Sequence, residues 1–316
     1  MNFLRINIVI FLLSLSGFLM AQVNKNQVKT IIVDAGHGGS DSGAPGTVTN
    51  EATITLSVAQ KLAKALRTEF PSIKILETRP TTAFPGYAAN KDAANKWRAD
   101  FANRNGGDLF ISLHCNAAGR KPGGWYEKRV VGHTNQVRTV KKGKKRIKKT
   151  VRVPIYEDFW VENKAVGTET YIWAVGKNDQ KISSVKNNDD YYNEETETSD
   201  NLQLPDPNDP AEKARMLIYA QHYFRKSYLL ANLVEQEFTN EGRTSRGVQQ
   251  RNHKGIWVLQ ATGMPSILIE MGFISNKEEE QYMMSETGQE AIVKNIVKAV
   301  KNYVEKTHIA AEQTPK

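Results

Sequence analysis

Short apolar runs alternate with longer stretches in which apolar residues return every three or four positions. Residues 30–34 form an apolar run of strand length, and Asn50 then opens a stretch with Ile54, Val58, Leu62 and Leu66 on one helical face. Asn50 is a suitable N-cap, which places Glu51 in the first turn. Residues 73–77 read as a second strand and 87–103 as a helix stopped by Gly106-Gly107. Residues 109–113 read as a third strand that ends at His114. The pattern resumes at Pro210, with Leu217, Phe224, Val234 and Phe238 on one long helix. Residues 255–260 and 266–270 read as strands, Asn276 opens a short helix, and Ile292, Ile296, Val300 and Tyr303 mark a final amphipathic one. Strands that alternate with helices predict an α/β fold: a central, mostly parallel twisted sheet with helices on both faces.

The middle of the chain breaks this rhythm. A basic segment at 128–152 centres on Lys141-Lys142-Gly143-Lys144-Lys145-Arg146, and partial alternation over 137–153 suggests a hairpin turning near Gly143. Residues 177–210 are polar and acidic and read as an exposed loop, with 166–175 as a strand between the two segments. We therefore expect one domain with an inserted basic and acidic middle.

The ends add an address. Arg5 precedes a mainly apolar run from Ile8 to Met20, followed by Ala21. This is the order of a cleaved secretory signal peptide, and the run is short for a full bilayer span. The expected organisation is a signal peptide at 1–21, a linker at 22–28, the domain at 29–306 with insertions near 128–153 and 177–210, and a polar tail at 307–316. The expected location is the periplasm or cell envelope, with no stable membrane span after cleavage. The single cysteine, Cys115, excludes an intramolecular disulfide. The formal net charge of +9 suits an anionic envelope polymer or nucleic acid. Export and the lack of aromatics within the basic run argue against nucleic acid.

Four residues concentrate the candidate chemistry. His37 follows the first strand within a glycine-rich loop, and His114 follows the third. Glu51 opens the helix after that loop, and Glu270 ends the strand 266–270. Functional groups of open α/β sheets gather beyond the carboxyl ends of the strands. Two imidazoles and one carboxylate suffice for catalytic zinc with a position left for water, and Glu270 is the natural general base. Each residue also has a plainer role open to it. His37 could cap a turn, His114 could be a hydrogen-bonded strand-end histidine, Glu51 could complement the helix dipole, and Glu270 could be half of a buried ion pair. Strand alternation points Cys115 away from His114, into the core. His133, His222, His253 and His308 are read as non-ligands.

Val33-Asp34-Ala35-Gly36-His37-Gly38-Gly39, Asn50-Glu51, Ser112-Leu113-His114-Cys115-Asn116-Ala117 and Glu270-Met271-Gly272-Phe273-Ile274-Ser275-Asn276 resemble the four motifs of the zinc-dependent N-acetylmuramoyl-L-alanine amidases of the amidase-3 type. Smaller matches are Glu77-Thr78-Arg79, Arg98, 167–171 and Arg246-Gly247-Val248. The resemblance implies one Zn2+ held by His37, Glu51 and His114, with Glu270 catalytic and Asn116 and Arg98 at the substrate. It implies a monomeric peptidoglycan hydrolase that cuts the amide between N-acetylmuramic acid and L-alanine. In some relatives a helix in the middle region blocks the site until an activator removes it, so an activator protein is a candidate partner. Glu194, Glu195 or Glu197 could serve as such a block. The alternative is an inactive or autoinhibited peptidoglycan-binding module of the same fold.

Overall fold

The computed structural model describes residues 28–174, 210–251 and 256–312. The expected signal peptide, the carboxylates Glu194, Glu195 and Glu197, and His253 lie outside the described residues, as does nearly all of the acidic insertion. In chain order the elements are β1 (Thr30–Ala35), α1 (Glu51–Glu69), β2 (Lys74–Glu77), α2 (Lys91–Arg104), β3 (Leu109–Asn116), β4 (Gly124–Lys142), β5 (Lys145–Glu162) and β6 (Thr168–Ile172). They continue with α3 (Pro210–Asn240), β7 (Ser245–Gln250), α4 (Trp257–Ala261), β8 (Ser266–Phe273), α5 (Lys277–Met284) and α6 (Glu286–Glu312).

Six strands form one sheet in the order β2-β1-β3-β8-β6-β7. The first four run parallel; β6 is antiparallel to β8 and parallel to β7. Alternation within each strand feeds two cores. On one face Ile31, Val33, Ile111 and Ile269 pack with Leu62 of α1, Val234 of α3 and Ile296 of α6. On the other, Ile32, Phe110 and Leu268 pack with Ala102 of α2 and Leu259 of α4. Helices therefore cover both faces, as the alternating pattern predicts. Among the described residues no helix is long and apolar enough to cross a membrane.

Three expectations change. Residues 257–261 form α4, not a strand, because one helical turn places Val258 and Leu259 together in the second core, and that burial overrides their β-propensity. The edge strand β7 carries the polar run Ser-Arg-Gly-Val-Gln-Gln, which has no apolar alternation to announce it. It needs none, since it pairs with β6 alone. The expected helix at 87–103 starts later, at Lys91, where the Asn90 side chain accepts from the Ala93 N–H. The basic segment is a hairpin turning at Gly143 (φ 63°), as its alternation suggests, and it is longer than expected.

Candidate active site

The chain leaves β1 at Ala35 and turns at Gly36 and His37, above the carboxyl edge of the sheet. His37 itself has φ 62°, a left-handed conformation that histidine tolerates better than most residues but still at a cost. Two buried arginines hold the turn. Arg98 reaches from α2 to place Nη2 on the carbonyls of Ala35 (3.1 Å) and His37 (2.5 Å), with Nη1 3.2 Å from Asp34 Oδ1. Arg79 donates to the carbonyls of Ala35 (3.1 Å) and Gly36 (2.9 Å). Asp34 balances this charge from beneath and also accepts from Ser112 Oγ at 2.6 Å and from Thr78. Burial alone would raise the Asp34 carboxyl; Arg98 and the two hydroxyls outweigh it and hold it low. Burial and the neighbouring Arg98 charge bring Arg79 down to about 10, so it stays charged near neutrality.

Glu51 enters the site because Asn50 caps α1 and turns its first residue inward; the Asn50 side chain accepts from the Thr53 N–H at 3.1 Å. Both Glu51 oxygens are engaged. Oε2 lies 3.0 Å from His37 Nε2 and accepts from the Ala44 N–H at 2.8 Å. Oε1 lies 2.8 Å from His114 Nδ1 and accepts from the Cys115 N–H at 3.0 Å. Burial opposes ionisation of Glu51, but the two imidazoles hold its carboxyl well below the usual carboxylate range. The other nitrogen of His37, Nδ1, is 2.9 Å from Asp41 Oδ2, which fixes the ring.

Two glycines make the room. A Cβ on Gly36 would stand 2.5 Å from the His114 ring, and one on Gly43 (φ 68°) would stand 2.6 Å from Glu51 Oε2. The ligand atoms of His37, Glu51 and His114 all lie within 4.8 Å of one another. Two imidazoles and one carboxylate gathered this closely are a donor set that zinc accepts. The donor set therefore fits a metal.

Glu270 stands beside His114, since the two are register partners on β3 and β8. Its Oε1 is 3.6 Å from Arg251 Nη2, whereas its buried Oε2 has no hydrogen-bond partner. Burial, reinforced by the Glu51 charge, pushes the Glu270 carboxyl up to about 8. All four candidate residues line one cavity of about 470 Å³.

Asn116 borders the same cavity, its side-chain oxygen accepting from the Ala117 N–H at 2.8 Å. Arg98 also borders it, but its guanidinium is buried and engaged by Asp34 and the loop carbonyls. That arrangement describes a positioning residue, where sequence reading expected a substrate contact. Cys115 is 3% exposed and packs in the core opposite His114, and burial pushes its thiol well up. Sequence reading missed three residues that shape the site. Asp41 and Glu280 are the first two; Glu280 accepts from the backbone N–H groups of Thr47, Val48 and Thr49 and so anchors the loop before Glu51. Arg79, noted only as a small motif match, is the third. The signal available was Asp41 four residues after His37; Glu280 had none, because its partners lie more than 230 positions away.

The family model described as N-acetylmuramoyl-L-alanine amidase (Amidase_3) matches residues 31–302. The chain belongs to this amidase family. An uncharacterized cell wall amidase of Bacillus anthracis is 25% identical over 285 residues, 90% of this chain and 37% of that protein. The amidase AmiC of Escherichia coli is 26% identical over 292 residues, 91% of this chain and 56% of that protein. The chain thus spans about a third to a half of the length of these curated amidases. The amidase CwlD of Clostridioides difficile, solved in complex with the lipoprotein GerS, aligns with a TM-score of 0.53 at 20% identity, over 88% of this chain and 99% of that one. At that identity the likeness shows a shared amidase fold.

Proposed function

We propose that the chain is a peptidoglycan hydrolase that cleaves the amide between the lactyl group of N-acetylmuramic acid and the L-alanine of the stem peptide. The carrying observation is that His37, Glu51 and His114 converge in a cavity that also holds a buried Glu270 with a free oxygen. Amide hydrolysis needs a polarised carbonyl, an activated water and a proton for the departing nitrogen. In this reading His37, Glu51 and His114 hold one zinc ion, which two imidazoles and a carboxylate suit. When bound, zinc supplies Lewis acidity and lowers the pKa of water toward neutrality.

The chain's own residues do the rest. Asp41 holds His37 so that Nε2 faces the site. Glu270 Oε2, with no other partner, takes the proton of the attacking water and passes it to the leaving amine nitrogen. Arg98 and Arg79 keep the His37 turn in its strained conformation while a polymer enters and leaves.

The proposed setting is cell-wall remodelling or daughter-cell separation by an exported monomer in the periplasm or cell envelope, with 1–21 as its signal peptide. A protein activator is part of the proposal, supported by the complex in which CwlD is seen with GerS; full activity of the purified chain alone would remove it. The test of the reaction is mass spectrometry of sacculi digested by the chain and by Glu270→Ala. Freed stem peptides from the first and none from the second are expected. New reducing ends on the glycan would refute the amidase reading.

A further inference from the structure

The β4–β5 hairpin contributes no residue to the four that converge in the cavity. These strands pair with each other in a two-stranded sheet apart from the main one, over about 60 Å at roughly 3.3 Å per residue. From residue 128 to 156 the hairpin carries eleven lysines and arginines and no aspartate or glutamate. Cations face each other directly across the ladder: Arg138 opposite Lys149, and Lys141 opposite Arg146. Like charges in that position destabilise a sheet, so the arm is at odds with itself until an anion lies along it.

Cations line both faces of this ribbon, and one of the two faces also carries its aromatic residues. Alternation places Arg146, Lys148 and Arg152 on the same side of β5 as Tyr156 and Trp160, outward to inward. Tyr126 of β4 is the register partner of Trp160, with the rings edge to face at 5.1 Å. Tyr126, Tyr156 and Trp160 are 69%, 56% and 54% exposed, a row of rings left open to solvent. The aromatic end is the end nearest the catalytic cavity. Asn116 and Ala117 border that cavity, and a few residues later the Ala118 and Gly123 N–H groups donate to Ser275 at 3.1 and 2.9 Å, just before β4 begins.

We infer that the β4–β5 hairpin is a second binding surface for the polymer that enters the cavity. Stem-peptide carboxylates pair with its cations, and sugar rings stack on Tyr126, Tyr156 and Trp160. The inference rests on the proposed peptidoglycan substrate. A membrane-seeking arm would carry its aromatics at the tip, where they could enter the headgroup region. Here the tip residues 138–149 include no aromatic, and the rings sit at the cavity end.

The test uses the full chain and two variants, R146Q/K148Q/R152Q and Y126A/W160A, each shown to keep the wild-type melting transition. Binding to purified, lipid-free sacculi is measured by co-sedimentation at low and high salt. Wild-type affinity is expected to fall with salt, and each variant is expected to lose about tenfold in affinity at low salt. Unchanged sacculus binding in both variants overturns the inference. So does tighter binding of the wild type to anionic phospholipid vesicles or to duplex DNA than to sacculi. Hydrolysis of a soluble muramoyl-peptide fragment, too short to span the arm, tests the amidase reading separately. Failure there with salt-sensitive, variant-sensitive sacculus binding sinks the reaction and leaves the surface standing.

Discussion

Glu270 should make the metal-free protein less stable as pH rises. Its carboxyl is buried beside the Glu51 charge and is pushed from an ordinary value of 4.5 up to about 8. A group whose pKa is raised on folding contributes most below its unfolded value and loses that contribution as pH climbs through the folded one. Below about pH 4.5 the proton is present in both states and Glu270 is neutral. Above that, the folded state holds a proton that the unfolded state has released. The difference accumulates at about 1.4 kcal/mol per pH unit, to about 3 kcal/mol at pH 7 and about 5 kcal/mol above pH 8. Glu270→Gln keeps the shape and removes the titration. Relative to wild type, the variant should therefore match at pH 4.5 and gain stability progressively up to pH 8–9. Urea unfolding of the EDTA-treated chain and its variant at four pH values measures this. Added zinc should shrink the gap, because a dication between His37, Glu51 and His114 answers the Glu51 charge and favours ionised Glu270. A wild-type-to-variant difference that does not change with pH would refute the reasoning.

Four further outcomes follow from the site. Gly36→Ala should place a methyl against the His114 ring, 2.5 Å away in the present geometry, and reduce bound zinc to well below one per chain, read by atomic emission after dialysis. Asp41→Ala frees His37 Nδ1 and should weaken zinc affinity about 10–100-fold in a competition titration, with the fold intact by circular dichroism. Arg98→Met leaves Asp34 buried without its cation and should cost about 3–5 kcal/mol in urea unfolding; a loss under 1 kcal/mol would show that the ion pair does not hold the turn. Cys115→Ala should leave zinc content unchanged, and the native Cys115 thiol should resist alkylation until the protein unfolds.

The linear sequence already determined the layered fold and pointed to the four candidate residues. Runs such as 30–34, 109–113 and 266–270 are mostly apolar because a strand covered on both faces admits a polar side chain only where it finds a partner or serves the site, as Asp34, Ser112 and Glu270 do. The helical face of α1 and its Asn50 cap are likewise local properties, written in residues three and four apart. His37, Glu51, His114 and Glu270 could be singled out because each is a polar group that borders or interrupts an apolar pattern. The positional signal weakened where the answer depended on distant partners. β7 is a strand only because β6 offers an edge to it, and α4 is a helix only because a pocket of the second core takes Val258 and Leu259.

The tertiary structure alone decided what each charged group does. Nothing local distinguishes Arg98, which supports the His37 turn from within, from Arg251, which stands half-exposed beside Glu270. Burial and the direction of approach set those roles, and both depend on how α2 and the segment after β7 pack on the sheet. The same holds for Glu51 and Glu270. They are identical side chains, one opening α1 and one within β8, yet the first is surrounded by four donors and held ionised, while the second keeps a free oxygen and a raised pKa. The sequence named the carboxylates; the packing around them separated the one that can bind a metal from the one that can carry a proton.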